Sequence, residues 1–156
     1  MTVTIRARAS VSGTAPPLAG FVASSFSPLA AESARQCLSD AGPVVERTAV
    51  IIVSASGDLG TARATSEAVD AGRRPGPLLF FQAVPNAVAG YIATQHGLRG
   101  PVVCLSPAGP AEAEGIAVAD LLIRDGDADE ALVILVEQSP DDPESGMASA
   151  VLVKSN

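Results

Sequence analysis

The chain has 156 residues, a length that fits one domain with a single hydrophobic core over residues 1–156. Its 10 Lys and Arg against 17 Asp and Glu give a formal net charge of −7. This charge disfavours binding to nucleic acid or to an anionic membrane surface, because both need a basic patch. No apolar run approaches the ~20 residues of a membrane span, and the N-terminus lacks the order of a signal peptide. We therefore expect a cytoplasmic protein.

The hydrophobic pattern predicts five strands. From Val3 to Val11, apolar and polar residues alternate with a period of two, as in a strand with one covered face. Thr48 to Ser54 and Ala131 to Glu137 enclose continuous apolar runs that are typical of strands buried on both faces. Shorter runs from Val102 to Ser106 and from Ala148 to Lys154 predict the remaining two strands.

Four helices are predicted between these strands. Ser27 provides an N-cap and Pro28 a first helical residue for a helix that ends at Asp40 or Ala41. The other three helices run from about Thr61 to Ala71, from Val84 to about His96 and from Pro110 to Arg124. The order β-α-β-α-α-β-α-β-β predicts a layered α/β domain with a mixed sheet and helices packed on it.

The two cysteines are predicted to be buried structural thiols. Cys37 lies in the first predicted helix and Cys104 in the apolar strand from Val102 to Ser106. A reduced compartment is the simpler setting for two such thiols, since a domain of this size needs no disulfide.

The stretch from Leu98 to Val136 runs from a strand through a turn into a helix and then into the next strand. Gly100-Pro101 precedes the first strand, and Gly126-Asp-Ala-Asp129 follows the helix. This segment resembles the nucleophile region of the β-ketoacyl synthases of the thiolase superfamily, where a cysteine lies at a strand-to-helix elbow. Aligned without gaps, the position of that cysteine falls on Gly109.

Further motifs extend the resemblance over nearly the whole chain. They are Leu29 to Gly42, similar to the family's first helix, Thr48 to Gly57, similar to its second strand and glycine loop, Phe80 to Ala93, similar to its Pro-Asn helix, and Gly146 to Val153, similar to the strand that ends the N-terminal half. The resemblance implies a thiolase-like half domain. The family's catalytic His and Asn residues lie in a C-terminal half that has no counterpart in these residues.

A glycine at the elbow has no side chain that could form an acyl intermediate, so the resemblance implies a framework without independent condensing activity. Two interpretations of Gly109 stay open. The site is kept free for an acyl chain or a partner's side chain, or the glycine supports the turn through a positive φ or a close backbone approach. If the residue lies at the start of a helix, the helix field predicts that a thiol introduced by Gly109→Cys is activated.

The resemblance also implies a partner interface. In the family, the strand before the elbow pairs antiparallel across a dimer axis, and the helix after the Pro-Asn motif packs beside it. The strand here carries no Lys or mid-strand Pro that would protect an edge. The implied partner is a second copy or a full-length ketosynthase, and a sheet face without its second half is expected to be an apolar patch. The implied interface residues are Pro85, Asn86, Val102, Val103 and Cys104.

No other motif predicts a catalytic residue, a cofactor or a metal. Ser106 lacks a Gly-x-Ser-x-Gly context, and the acidic turn after Arg124 departs from a calcium loop at its sixth and twelfth positions. His96, the single histidine, is predicted to end a helix, where its charged form would suit the dipole.

These features favour a non-catalytic ketosynthase-like subunit of the chain-length-factor type, in polyketide, polyene or fatty-acid-type biosynthesis. Two alternatives stay open: a small acyl-thioester-processing enzyme that uses other residues of the cleft, and a structural or regulatory homodimer without a pathway partner. Contact with an acyl carrier protein would use Arg73 and Arg74, the one doubled basic site of the sequence.

Overall fold

The computed structural model describes residues 2–156, which contain five strands and five helices. The strands are β1 Val3–Ser12, β2 Thr48–Val53, β3 Val102–Leu105, β4 Glu130–Gln138 and β5 Gly146–Ser155. The helices are α1 Phe26–Ala41, α2 Leu59–Asp70, α3 Pro77–Ala83, α4 Pro85–His96 and α5 Ala111–Arg124. Among residues 2–156, no helix combines the length and the apolar character that a membrane crossing needs.

The five strands form one mixed sheet in the order β1-β5-β4-β2-β3. β2 runs parallel to both of its neighbours, β3 and β4, whereas β5 is antiparallel to β4 and to β1. All six residues of β2 are buried, as the continuous apolar run predicts. The predicted mixed α/β sheet is therefore confirmed, with β1 and β3 at its two edges.

The two faces of the sheet carry different helices. Because successive strand residues point to opposite faces, Val50 and Ile52 belong to a core with α1 and α4, and Ile51 and Val53 belong to a core with α5. One face is thus covered by two helices and the other mainly by α5.

The structure differs from the sequence prediction at two helices. α1 begins at Phe26, so Ser27, the predicted N-cap, lies inside the helix and is buried. The residue at the N-cap is Ser25, whose side chain makes no capping hydrogen bond. α3 was not predicted, because its seven residues are too few to show a helical period. It begins at Pro77 and ends before Pro85, where a proline disfavours helical conformation in the preceding residue.

Helix α5 lies close to the sheet because it carries a glycine at the contact. A Cβ atom at Gly115 would lie 2.5 Å from Cγ1 of Val133 and 3.0 Å from Cγ2 of Val53. These distances are shorter than real carbon contacts, so any side chain there would push the helix outward. The position of α5, and of the elbow that precedes it, therefore depends on this glycine.

We expect Gly115→Ala to lower the free energy of unfolding by about 1–3 kcal/mol, because an added methyl group overpacks the contact of α5 with β2 and β4. The matched control is Gly90→Ala in α4, where a Cβ atom has no neighbour within 4 Å. That variant should stabilise the protein by about 0.5–1 kcal/mol, because alanine favours helix over glycine. Urea denaturation of the two variants checks the difference, and equal effects would contradict the close packing of α5.

Candidate functional site

The elbow is the short loop between β3 and α5. β3 ends at Leu105, and α5 begins at Ala111 with Pro110 at its N-cap. Gly109 therefore lies one residue before the cap and is exposed. The carboxylate of Glu114 reaches back to this loop, where its Oε1 accepts the N–H of Gly109 and its Oε2 accepts the N–H of Ala108 at 3.0 Å.

The structure overturns one interpretation of Gly109. Gly109 is not among the glycines with a positive φ, so the turn does not require a left-handed residue there. A Cβ atom at this position would meet only Oε1 of Glu114, at 3.0 Å, and no backbone atom. Neither a positive φ nor a close backbone approach explains the glycine, and the backbone would accept a side chain.

A cavity of about 300 Å³ lies at the carboxyl ends of β2 and β3. Its lining residues are Ile52, Ser54, Ala55, Ser56, Gly57, Pro85, Cys104, Leu105 and Ser106. The connection from β2 to β3 returns through α4 on one face of the sheet, and the connection from β3 to β4 returns through α5 on the other. The cavity therefore lies at a topological switch point, the place where open α/β sheets commonly bind ligands.

Cys104 is exposed, so the prediction of a buried thiol is wrong for this residue. β3 is an edge strand, and the side chain points to the cavity at the switch point, not into a core. Partial desolvation still raises the pKa of the Cys104 thiol. Cys37 is buried in α1 as predicted, and burial raises the pKa of its thiol as well. Neither cysteine has the lowered pKa of an activated nucleophile.

His96 does not border the cavity that Cys104 and Ser106 line. It ends α4 as predicted and lines a separate cavity of about 210 Å³ together with Glu32, Arg35 and Tyr91. Burial, and then the charge of Arg35, lower the pKa of His96, which favours the neutral imidazole and not the charged form expected from the helix dipole. The structure therefore does not place a histidine beside Ser106. Among residues 2–156, no three His, Cys, Asp or Glu side chains are grouped as metal ligands.

The predicted interface residues lie on two adjoining surfaces at the start of α4. Pro85 borders the switch-point cavity with Cys104, whereas Asn86 borders a larger apolar cavity of about 520 Å³. Val102 is 39% exposed on β3, while Val103 packs partly against the α5 core. Of the five implied interface residues, Val103 therefore points towards α5, on the opposite face of the sheet from Val102 and Cys104.

The larger cavity belongs to an aromatic surface that the sequence analysis did not assign. Phe21, Phe81 and Tyr91 border the cavity, with the ring centroid of Phe21 6.4 Å from that of Phe81 and 6.0 Å from that of Tyr91. Phe80 in α3 is 79% exposed, and Leu78 beside it is 63% exposed. The run Leu78-Leu-Phe-Phe81 was the signal in the sequence, because four consecutive large apolar residues are rare on a surface without a partner.

The α5 face of the sheet also carries uncovered apolar residues. Met147 on β5 is 62% exposed and lines an apolar cavity of about 210 Å³ with Val53, Leu135 and Ala111. Leu121 on the outer side of α5 is 46% exposed. Met147 and Leu121 are thus exposed apolar residues on this side of the sheet, whereas Val53 in the same cavity is buried.

Comparison with known proteins identifies the family. The family described as "Beta-ketoacyl synthase, N-terminal domain" matches residues 11–149, which is most of the chain. No curated protein matches the sequence.

Solved structures match the whole chain in fold. A chain of a ketosynthase (ApeO) in complex with its chain length factor (ApeC) from Xenorhabdus doucetiae superposes with a TM-score of 0.76 at 16% identity, covering 100% of this chain and 80% of that one. A chain of the ishigamide ketosynthase/chain length factor gives a TM-score of 0.79 at 16% identity, covering 99% and 62%. A β-ketoacyl synthase from Burkholderia phymatum gives 0.72 at 17% identity, covering 99% and 59%.

These likenesses confirm the predicted ketosynthase-type α/β fold. At 16–17% identity they carry no further information about activity. The chain spans less than two thirds of the second and third of these structures.

We expect Gly109→Ala to change the free energy of unfolding by less than about 0.5 kcal/mol, because the backbone is not left-handed and the added methyl group meets only a movable carboxylate. The control is Gly126→Ala, at a residue with φ of 79° and no atom near the new methyl group. That variant should cost about 1–2 kcal/mol through backbone strain alone. Thermal and urea unfolding check both values, and a cost at Gly109 equal to that at Gly126 would contradict the described turn.

Proposed function

We propose that this chain, which belongs to the family of β-ketoacyl synthase N-terminal domains, is a ketosynthase-like subunit without condensing activity of its own. It pairs with a second copy of itself or with a full-length ketosynthase. The proposed setting is polyketide, polyene or fatty-acid-type biosynthesis, with the chain in the role of a chain length factor. Two similar solved structures, each of a ketosynthase with a chain length factor, support this role.

The open edge of β3 is the observation that carries the pairing. Val50 N–H donates to the carbonyl of Pro101 at 2.9 Å, and Ser54 N–H donates to that of Leu105 at 3.1 Å. In a parallel ladder, alternate residues bond to the neighbouring strand, so the N–H and C=O groups of Val102 and Cys104 point outward. An edge with free backbone groups is a template for a strand of another chain.

The aromatic surface adjoins this edge. Val84 and Asn86 border the aromatic cavity, and Pro85 between them borders the cavity beside Cys104, so the first turn of α4 joins the two. Exposed Phe80 and neighbouring Phe81 give the surface the aromatic content that is enriched in the centres of protein interfaces. A partner that paired with β3 would therefore also cover apolar area, which strand pairing alone does not provide.

Two observations support the proposed lack of condensing activity. One is the glycine at the elbow, and the other is the surroundings of Cys104 and Ser106, the two residues that could replace the family's nucleophilic cysteine. Gly109 has no nucleophilic atom, and Cys104 has a thiol with a raised pKa. Ser106 bonds weakly, at 3.4 Å, to the carbonyl of Ala55, which is an acceptor and not a base that would remove its proton at neutral pH. The alternative of an acyl-thioester-processing enzyme is favoured only by the cavity that Cys104 and Ser106 share.

The proposal includes an acyl carrier protein as a second partner. Arg73 and Arg74 are exposed in the loop that follows α2, where they are accessible to an acidic protein. The overall charge of −7 opposes such contact, so the local pair of arginines would have to supply the attraction.

We expect Cys104→Pro to abolish pairing while the fold is retained, because proline removes an outward N–H and leaves the bonds to β2 in place. Multi-angle light scattering at micromolar concentration should give a dimer, or a complex with an added ketosynthase, for the unmodified chain. The Cys104→Pro variant should be a monomer with an unchanged circular dichroism spectrum.

The matched control is Cys104→Ala, which removes the thiol but keeps the N–H, and it should still pair. Val102→Lys supplies a second test, since a charge at this exposed edge position opposes pairing without entering a core. A monomeric unmodified chain that also fails to bind a ketosynthase would overturn the proposed pairing.

We also expect no acyl group to load onto the chain. Intact-mass spectrometry after incubation with acyl-CoA or acyl-carrier-protein thioesters should show only the unmodified mass, because Gly109 offers no nucleophile and neither native thiol is activated. A stable adduct that peptide mapping places on Cys104 or Ser106 would establish the enzyme alternative instead. The Cys104→Ala and Ser106→Ala variants then identify the acylated atom.

A further inference from the structure

The carboxylate of Glu114 occupies a position in the elbow that the family resemblance does not explain. Glu114 lies in the first turns of α5, and its two oxygens bind the consecutive N–H groups of Ala108 and Gly109. Glu112, two residues earlier in the same helix, points elsewhere and forms a two-bonded ion pair with Arg8 at 2.9 and 2.6 Å. The contact of Glu114 with the elbow is therefore specific to this side chain.

The elbow has the features of a place that stabilises negative charge. Two consecutive backbone N–H groups each bind one oxygen of the same carboxylate, next to the positive end of the dipole of α5. Preorganised backbone donors of this kind stabilise the oxyanion of an acyl-transfer reaction where they are free. Here the chain fills the place with its own carboxylate.

The neighbouring loop repeats the arrangement. The carboxylate of Glu137 on β4 accepts the N–H of Ala55 and, at 3.3 Å, the N–H of Ser56, in the loop that follows β2. The loops at the carboxyl ends of both β2 and β3 are thus held by internal carboxylates. At the carboxyl ends of these two strands, the backbone N–H groups of Ala55, Ser56, Ala108 and Gly109 are therefore bound within the chain and are not free to bind a ligand.

We propose that Glu114 is a positioning residue that closes the elbow to acyl thioesters, by occupying its backbone donors and by setting a negative charge beside position 109. This inference rests on the proposed non-catalytic function and adds a second cause to it. The elbow would not activate a nucleophile even if one were present, because a like charge disfavours a thiolate.

The inference changes what is expected of Gly109→Cys. The helix field alone would lower the pKa of a thiol introduced there, as the sequence predicts. The Cβ atom of the new residue would lie 3.0 Å from Oε1 of Glu114, however, so the carboxylate would stand close to the new thiol, and a like charge nearby opposes ionisation of a thiol. We therefore expect the helix to lower the pKa of the introduced thiol only when the charge of Glu114 is removed as well.

The test measures the alkylation rate of the introduced thiol by iodoacetamide as a function of pH, with peptide mass spectrometry separating it from Cys37 and Cys104. We expect Gly109→Cys/Glu114→Gln to react about tenfold faster near neutral pH than Gly109→Cys alone, which corresponds to a pKa lowered by about one unit. The matched control, Gly109→Cys/Glu112→Gln, removes a charge from the same helix turn and should change the rate less than twofold. Glutamine at position 114 keeps an oxygen that accepts one of the two N–H groups, so the difference in the pH profile reports the charge and not the loss of both hydrogen bonds.

Amide hydrogen exchange provides a second measurement on the unmodified chain. The N–H groups of Ala108 and Gly109 should exchange slowly although their loop is exposed, and Glu114→Ala should accelerate both, whereas Glu112→Ala should not. Two results would overturn the proposal: open-loop exchange rates at both amides in the unmodified chain, or equal thiol reactivity with and without the Glu114 charge. Neither depends on oligomeric state, so a failure here is distinct from a failure of the proposed pairing.

Discussion

The complete burial of β2 is the constraint on which the other features depend. Its six residues are covered on both faces, and β3 and β4 both run parallel to it, as is usual for a strand buried on both faces. Parallel neighbours need crossover connections, and these place α4 on one face of the sheet and α5 on the other. The ends of β2 and β3 then diverge into opposite layers. The switch-point cavity and the elbow follow from this divergence and do not require a particular residue at position 109.

The edge position of β3 has consequences that composition does not reveal. An apolar strand of four or five residues has the same sequence pattern whether it lies inside a sheet or at its edge. For this reason Cys104 was expected to be buried and is exposed, while Val103 does pack towards α5. Which of two neighbouring residues faces outward depends on strand order and register. Those are properties of long-range pairing, to which local sequence contributes little.

Much of the fold could be predicted from the sequence, because strong local signals and tertiary structure agree. The apolar run of β2, the alternation in β1 and the glycine that ends α4 each specify their element without knowledge of the rest. Helix α3 could not be predicted, because its seven residues between two prolines are too few to show a helical period. The contact of Glu114 with the elbow was also missed. A glutamate early in a helix is an ordinary cap by pattern, and only the backbone path shows which amides it reaches.

The proposed lack of condensing activity and the proposed pairing rest on different groups of this chain. The first rests on Gly109 and on the carboxylate of Glu114 that binds its N–H, and neither residue contributes to the outward groups of β3. Gly115, one residue further along, keeps α5 seated on β2 and β4. The packing that holds α5 on the sheet therefore does not involve the side chains of the elbow. Under the two proposals, substitutions at the elbow would change thiol reactivity and acyl loading and would leave pairing through β3 and the aromatic surface intact.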